Sequence, residues 1–256
     1  LDASTKETTK VIAWVSHHLP DKEGKLIGGA EMSDDTLLKD PPVKLDIITP
    51  DKWKEAMAYD QVIITGTDFL SPFAMNQLAR KKPVVAVRHL QTQSEERATL
   101  INSAKVLIAQ TPRHLELELS WTKPKKSTWI LSSLDPSEMS VKPKENFALW
   151  AARMHPQKGP VEAQLWADER GIPLMMMTGK PRAEVLETMS RAKHFVLLPN
   201  GFDGEPRVII EAVLSGCEVH TNDHAGITSV PNWRDPATLT ELITNSKELF
   251  WETALG

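Results

Sequence analysis

Apolar residues fall along this chain in short continuous runs rather than in strict alternation. The first series is VIAWVS (11–16), KLDIIT (44–49), QVIITG (61–66), PVVAVR (83–88), KVLIAQ (105–110) and STWILS (127–132). A second follows: FALWAAR (147–153), PLMMMTG (173–179), HFVLLPN (194–200) and CEVHTND (217–223). A strand without a polar face is buried on both sides, as in a parallel sheet. Between many of the runs lie stretches with helical spacing, at 71–82, 161–171, 181–193 and 205–216. Pro181 and Pro206 suit a first helical turn, and Gly171 and Gly216 suit helix ends. Alternating strand and helix predicts an α/β chain with parallel sheets.

The segment SSLDPSEMSVKPKEN (132–146) breaks this rhythm. It holds Pro136 and Pro143, several serines and no apolar period, so it reads as a linker. Ahead of it stand six of the runs and after it four. The simplest account is two Rossmann-like domains, 1–140 and 141–256, facing a central cleft. Ligands of such sheets bind at the carboxyl ends of the strands.

Composition removes some classes of function. With 30 basic and 34 acidic residues in 256, the net charge is −4, so no global basic field favours nucleic acid or anionic membrane. The single cysteine, Cys217, excludes an intramolecular disulfide and suits a reducing compartment. No apolar run is long enough to span a bilayer. The first ten residues, LDASTKETTK, are polar and read as a loose arm without a signal-peptide core. The expected location is cytoplasmic.

Candidate chemistry sits in the loops. In LIGGAEMSDDTLL (26–38), Gly28 and Gly29 permit close backbone approach before a helix opens at Ala30 and Glu31, whose free N–H groups favour an anion. A plain turn is the alternative. In AARMHPQKG (151–159), Arg153 ends an apolar strand and Lys158 precedes Gly159 and a helix. Two cations there suit a diphosphate, or are merely solvated. In NGFDGEPRVIIEAVLSG (200–216), Asp203 lies in a loop and Glu211 amid the apolar residues of a helix. Carboxylates so spaced can accept from hydroxyls on two parts of one ligand. Acids near a helix start also serve the macrodipole, which accounts for Asp203 and Glu205 more readily than for Glu211. His89 ends the run PVVAVR. His220 and His224 have i,i+4 spacing around Asp223, but in a loop and without a third ligand, so no metal site is expected. Lys123, Lys125 and Lys126, near Trp121 and Trp129, form a small basic patch that reads as a solvated turn. A GxGxxG dinucleotide fingerprint is missing.

The order of these features resembles the retaining GT-B glycosyltransferases of family 4, over most of the chain. IGGAE is similar to that family's donor-phosphate and acceptor loop, PVVAVRH to the strand ending in its active-site histidine, and AARMHPQKGP to its arginine–lysine pair. PRAEVLETMSRAKHFVLLPNGFDGEPRVIIEAVLSGCEVHTNDHAG is the most specific part and is similar to the family's E-x7-E region. The resemblance implies that His89, Arg153, Lys158 and Asp203 are catalytic. It implies donor binding by Gly28, Gly29, Arg153, Lys158, Thr178, Gly179, Asp203, Gly204, Glu205 and Glu211. Asp203 would face the sugar hydroxyls and Glu211 the nucleotide ribose. Arg153 and Lys158 would stabilise the leaving diphosphate in place of a metal, and His89 would contact the sugar near the reacting carbon. No cofactor is implied, since a UDP- or GDP-sugar is the donor substrate. The acceptor, carbohydrate, lipid-linked or macromolecular, is unnamed. Aspartate stands where the family usually has the first glutamate, which bears on sugar choice, and TGTD (65–68) lacks a histidine pair common there. Two alternatives stand beside this: a viral-type glycosyltransferase of modified nucleic acid, and a non-catalytic nucleotide-sugar-binding protein of the same fold.

Overall fold

The computed structural model describes residues 11–17, 28–89 and 92–256. The N-terminal arm expected at 1–10, and positions 26 and 27 of the glycine loop, lie outside the described residues. The chain divides into two compact units. One is drawn from Leu1–Ala109, Leu117–Thr128 and Phe250–Gly256, the other from Gln110–Glu116 and Trp129–Leu249.

In the first unit the order is β1 (Ile12–Ser16), α1 (Gly29–Leu38), β2 (Leu45–Ile48), β3 (Gln61–Thr65), α2 (Pro72–Lys81), β4 (Val84–Val87), α3 (Glu95–Ser103) and β5 (Val106–Ala109). Helix α4 (Pro112–Leu119) then carries the chain out of this unit and back, and β6 (Ser127–Trp129) completes the sheet. The strand order is β2-β1-β3-β4-β5-β6, with parallel pairing from β2 through β5. Every residue of β1, β3, β4 and β5 is buried, as continuous apolar runs require.

The second unit runs β7 (Glu145–Ala151), α5 (Pro160–Asp168), β8 (Leu174–Met177), α6 (Arg182–Arg191), β9 (Ala192–Val196), α7 (Arg207–Leu214) and β10 (Glu218–His220). Its four strands are parallel in the order β10-β9-β7-β8. Trp150, Phe195, Ile209 and Ile210 lie at its core. Helix α8 (Pro236–Leu255) begins in this unit and ends in the first.

Two details depart from the sequence pattern. The runs at β2 and β8 lie at sheet edges, so Ile47 and Met175 remain exposed although their runs look like two-faced strands. The division of the chain also falls elsewhere than at residue 140. Leu131 and Leu134 belong to the second unit's core, while Phe250 and Trp251 pack their rings at a tilt against Trp14 of the first, with centroids 5.8 and 5.9 Å away. Gln61 Nε2 and Lys105 Nζ fasten that terminus by donating to the Ala254 carbonyl at 2.7 Å and the Leu255 carbonyl at 3.0 Å.

Each sheet has one place where successive connections leave in opposite directions. In the first it lies between β1 and β3, because the chain moves from β1 to β2 on one side and then to β3 on the other. In the second it lies between β7 and β9 for the same reason. Such switch points open a crevice at the carboxyl ends of the strands, where ligands of doubly wound sheets bind.

Candidate functional site

The loops that follow β7 and β9 border the second switch point, and they are tied to each other. Gln157 Nε2 donates to the Phe202 carbonyl at 3.0 Å, and Asn200 N donates to the Gln157 carbonyl at 3.0 Å. Asn200 Nδ2 reaches Glu162 Oε1 at 2.8 Å. Trp150, buried in β7, donates its indole N–H to the Lys158 carbonyl at 3.1 Å. Gly159 has a φ of +61°, and a Cβ there would fall 1.8 Å from the Leu198 carbonyl oxygen, so no other residue fits this turn. These constraints hold Lys158, whose Nζ forms an ion pair with Asp203 Oδ2. Arg153, at the end of β7, is exposed and makes no ion pair among the described residues. The loop after β7 thus carries an exposed arginine and a lysine held by an aspartate.

Asp203 is fixed through its backbone. Its N–H donates to the His224 carbonyl at 2.8 Å, and its carbonyl accepts from Gly226 N at 2.7 Å. Gly204 is required for space: a Cβ would stand 2.7 Å from His114 Nδ1, and its carbonyl already accepts from Thr111 Oγ1 at 3.0 Å. Thr178 and Gly179 are exposed beyond β8, at the same strand ends, with Gly179 at φ +63°.

The two glutamates of this region are engaged within the protein. Glu205 is buried and accepts from Ser132 N at 3.0 Å and from Ser132 Oγ at 2.7 Å. Burial pushes its carboxyl up to about 7, against the opposing pull of those Ser132 hydrogen bonds and of Arg207. Glu211, buried in α7, pairs through Oε1 with Arg182 at the start of α6, and Arg182 also reaches Glu138. Burial works to lower the Arg182 pKa, but the two carboxylates outweigh it and the net shift is upward. Arg182 answers why an acid sits on the apolar helix α7.

The first switch point holds a second polar cluster. Asp34 of α1 is fully buried, and its Oδ2 accepts from Ser16 Oγ at 2.6 Å and from Thr65 Oγ1 at 2.5 Å. Ser16 ends β1 and Thr65 ends β3, so one carboxylate spans the crevice strands. His89, just past β4, brings Nε2 within 3.4 Å of Asp34 Oδ1. Its neighbour Arg88 is buried with Nε 3.1 Å from Glu118 Oε1. Gly28 stands at the N-cap of the ten-residue helix α1. Its φ of −148° is ordinary extended backbone, so this glycine is not demanded by conformation.

Sequence reasoning did not single out Asp34, Ser16, Thr65, Arg182 or Ser132. A faint signal existed for three of them: Ser16 and Thr65 are polar residues closing apolar runs, and Asp34 follows the glycine loop by one helical turn and a half. The i,i+4 pair His220 and His224 is not brought together as a ligand pair. His220 instead lies beside His194 and Glu218.

No family model matches the sequence, and no curated protein matches it. Solved structures do. The sucrose-phosphate synthase of Thermosynechococcus elongatus superposes with a TM-score of 0.66 at 14% identity, covering 96% of this chain and 92% of that one. The lipopolysaccharide outer core galactosyltransferase WaaB gives 0.63 at 12% identity over 96% and 94%. Anabaena Alr3699/HepE, crystallised with UDP and glucose, gives 0.61 at 13% identity over 96% and 95%. The chain has the GT-B fold. At such identities the likeness concerns the fold, and activity has to be argued from the side chains.

Proposed function

We propose that this chain is a glycosyltransferase that moves a sugar from a nucleoside-diphosphate sugar, with UDP or GDP as the nucleotide, to an acceptor hydroxyl. Transfer retains configuration and needs no metal. The observation that carries this reading is that exposed Arg153 and the Asp203-held Lys158 share the loop after β7, at the switch point of the second sheet.

Breaking the bond between the sugar and the diphosphate places negative charge on the leaving phosphate oxygens. Two cations at that spot stabilise the charge as it develops. An incoming diphosphate draws Lys158 from Asp203, and the released carboxylate then accepts from sugar hydroxyls. Glu211 is oriented by Arg182 and accepts from the ribose hydroxyls through its second oxygen. Thr178 and Gly179, exposed past β8, and Gly204, in the loop after β9, belong to the donor site in this reading. Glu205 acts on this loop through Ser132 rather than through the ligand. In the first unit, His89, whose Nε2 lies 3.4 Å from Asp34 Oδ1, contacts the sugar near its reacting carbon, and Gly28 and Gly29 complete the donor-binding residues of this reading. The acceptor is a carbohydrate, a lipid-linked sugar or a macromolecule.

Release of free nucleotide from UDP- and GDP-sugars, followed in EDTA, tests this directly. Lys158→Ala should lower turnover by roughly 100- to 1,000-fold, the scale of losing one preorganised charge-stabilising donor, while leaving the melting temperature nearly unchanged. Turnover near that of the parent protein, or a strict requirement for added metal, contradicts the assignment.

A further inference from the structure

We propose that His194, Glu218 and His220 form a binding site for a divalent transition metal of the zinc class, which fastens the edge strand β10 to β9. The parallel register sets Glu218 opposite His194 and His220 opposite Val196. Side chains alternate along a strand, so residues 218 and 220 of β10 and residue 194 of β9 emerge on the same face of the sheet. Three donors are thereby grouped by backbone pairing alone.

The donor spacing fits a small cation. His194 Nδ1 lies 3.2 Å from His220 Nε2 and 3.2 Å from Glu218 Oε2, and all three donor atoms fall within 4.8 Å of one another. Around a tetrahedral zinc with bonds of about 2.0–2.1 Å, neighbouring donors stand about 3.3 Å apart. Two of the separations already match that edge. Two imidazoles and one carboxylate form a donor set suited to zinc, cobalt, nickel or copper, whereas magnesium and calcium prefer oxygen alone.

The rings are held in place. Trp166 of α5 packs against His220 at 4.3 Å and His194 at 5.7 Å between centroids, and Arg170 covers the Trp166 ring at 4.6 Å. Arg234, another cation near this corner, turns its guanidinium to the Val219 carbonyl at 2.7 Å. His194 is buried, while the Glu218 side chain is 59% exposed, so an ion can enter from the Glu218 side and keep a water as a further ligand. These residues lie within the strands and not on the crevice loops that carry Arg153, Lys158 and Asp203. The site is therefore structural, independent of the transfer reaction and of the nucleotide reading.

The test is a Co²⁺ titration of the full chain, stripped with EDTA, dialysed and free of any affinity tag, followed by visible absorption. The expected result is saturation at a single equivalent, with the intense bands of four-coordinate Co²⁺ lost on adding Zn²⁺. Glu218→Gln alters an exposed side chain and His220→Gln keeps a polar group of similar size. Each should weaken binding by more than the roughly 10- to 100-fold that changes outside the ligand shell produce, and should abolish the rise in melting temperature that Zn²⁺ gives the parent chain. No saturable binding, or a Co²⁺ spectrum and affinity unchanged in both variants, overturns the site.

Discussion

Glu205 makes the stability of this protein depend on pH in a direction opposite to that of most carboxylates. Its carboxyl is raised from an ordinary 4.5 to about 7, chiefly by burial, with the Ser132 N–H and hydroxyl working against the rise. Between those values the folded chain keeps a proton that the unfolded chain has released. Stability contributed by this group therefore falls as pH rises from 4.5 to 7, and is level above that. Each pH unit across the interval is equivalent to about 1.4 kcal/mol, so the loss is about 3–4 kcal/mol. Glu205→Gln keeps an acceptor for Ser132 and cannot ionise. Urea denaturation, followed by tryptophan fluorescence at pH 5, 6, 7 and 8, should show the variant and the parent nearly equal at pH 5. The variant should be the more stable by about 2–3 kcal/mol at pH 8. A difference that stays constant across this range, or one that grows toward low pH, refutes the burial argument.

Two further changes probe the loops and the first crevice. Gly159→Ala places a side chain at φ +61° and against the Leu198 carbonyl; it should destabilise the chain by at least about 2 kcal/mol, since the left-handed conformation alone costs about 1–2, and a thermal melt identical to the parent would show that the turn can relax. Asp34→Ala removes the acceptor of two buried hydroxyls and the partner of His89; a loss of about 2–4 kcal/mol in chemical denaturation is expected, and a loss below about 0.5 kcal/mol, the scale of an ordinary surface substitution, would remove Asp34 from its organising role.

The framework of this chain was legible because parallel strands announce themselves. VIAWVS, QVIITG, PVVAVR and KVLIAQ each gave a strand, since burial on both faces leaves no position for a polar residue inside the run. Helices α5, α6 and α7 lie within the segments bounded by Pro181, Pro206, Gly171 and Gly216, or within one residue of them, because these residues act locally on the backbone. The cations and acids near the second crevice were also visible, since loop residues at strand ends keep their meaning without knowledge of partners. What stayed hidden depends on contacts across long stretches of chain. Asp34 looks like a solvent-facing helical acid until Ser16 and Thr65 are brought to it from strands 18 and 31 residues away. Glu205 looks like a helix-start acid, yet its partner is Ser132, 73 positions earlier. The return of Phe250 and Trp251 to Trp14 left no trace in local pattern. His194 and His220 share a face only through the register of two strands. His224, the partner suggested by spacing, lies in the loop beyond β10.

The measurement that bears most directly on the account is calorimetric binding of nucleoside diphosphates, with the matching nucleosides as controls and EDTA present throughout. If Arg153 and Lys158 form a diphosphate site, UDP, GDP or ADP binds the parent chain with one base preferred, and raises its melting temperature by mass action. The bare nucleoside should bind far more weakly, and the Arg153→Ala, Lys158→Ala double variant should lose that preference for the diphosphate. Equal affinity for nucleoside and nucleoside diphosphate, or undiminished diphosphate binding by the double variant, contradicts the assignment of the second crevice.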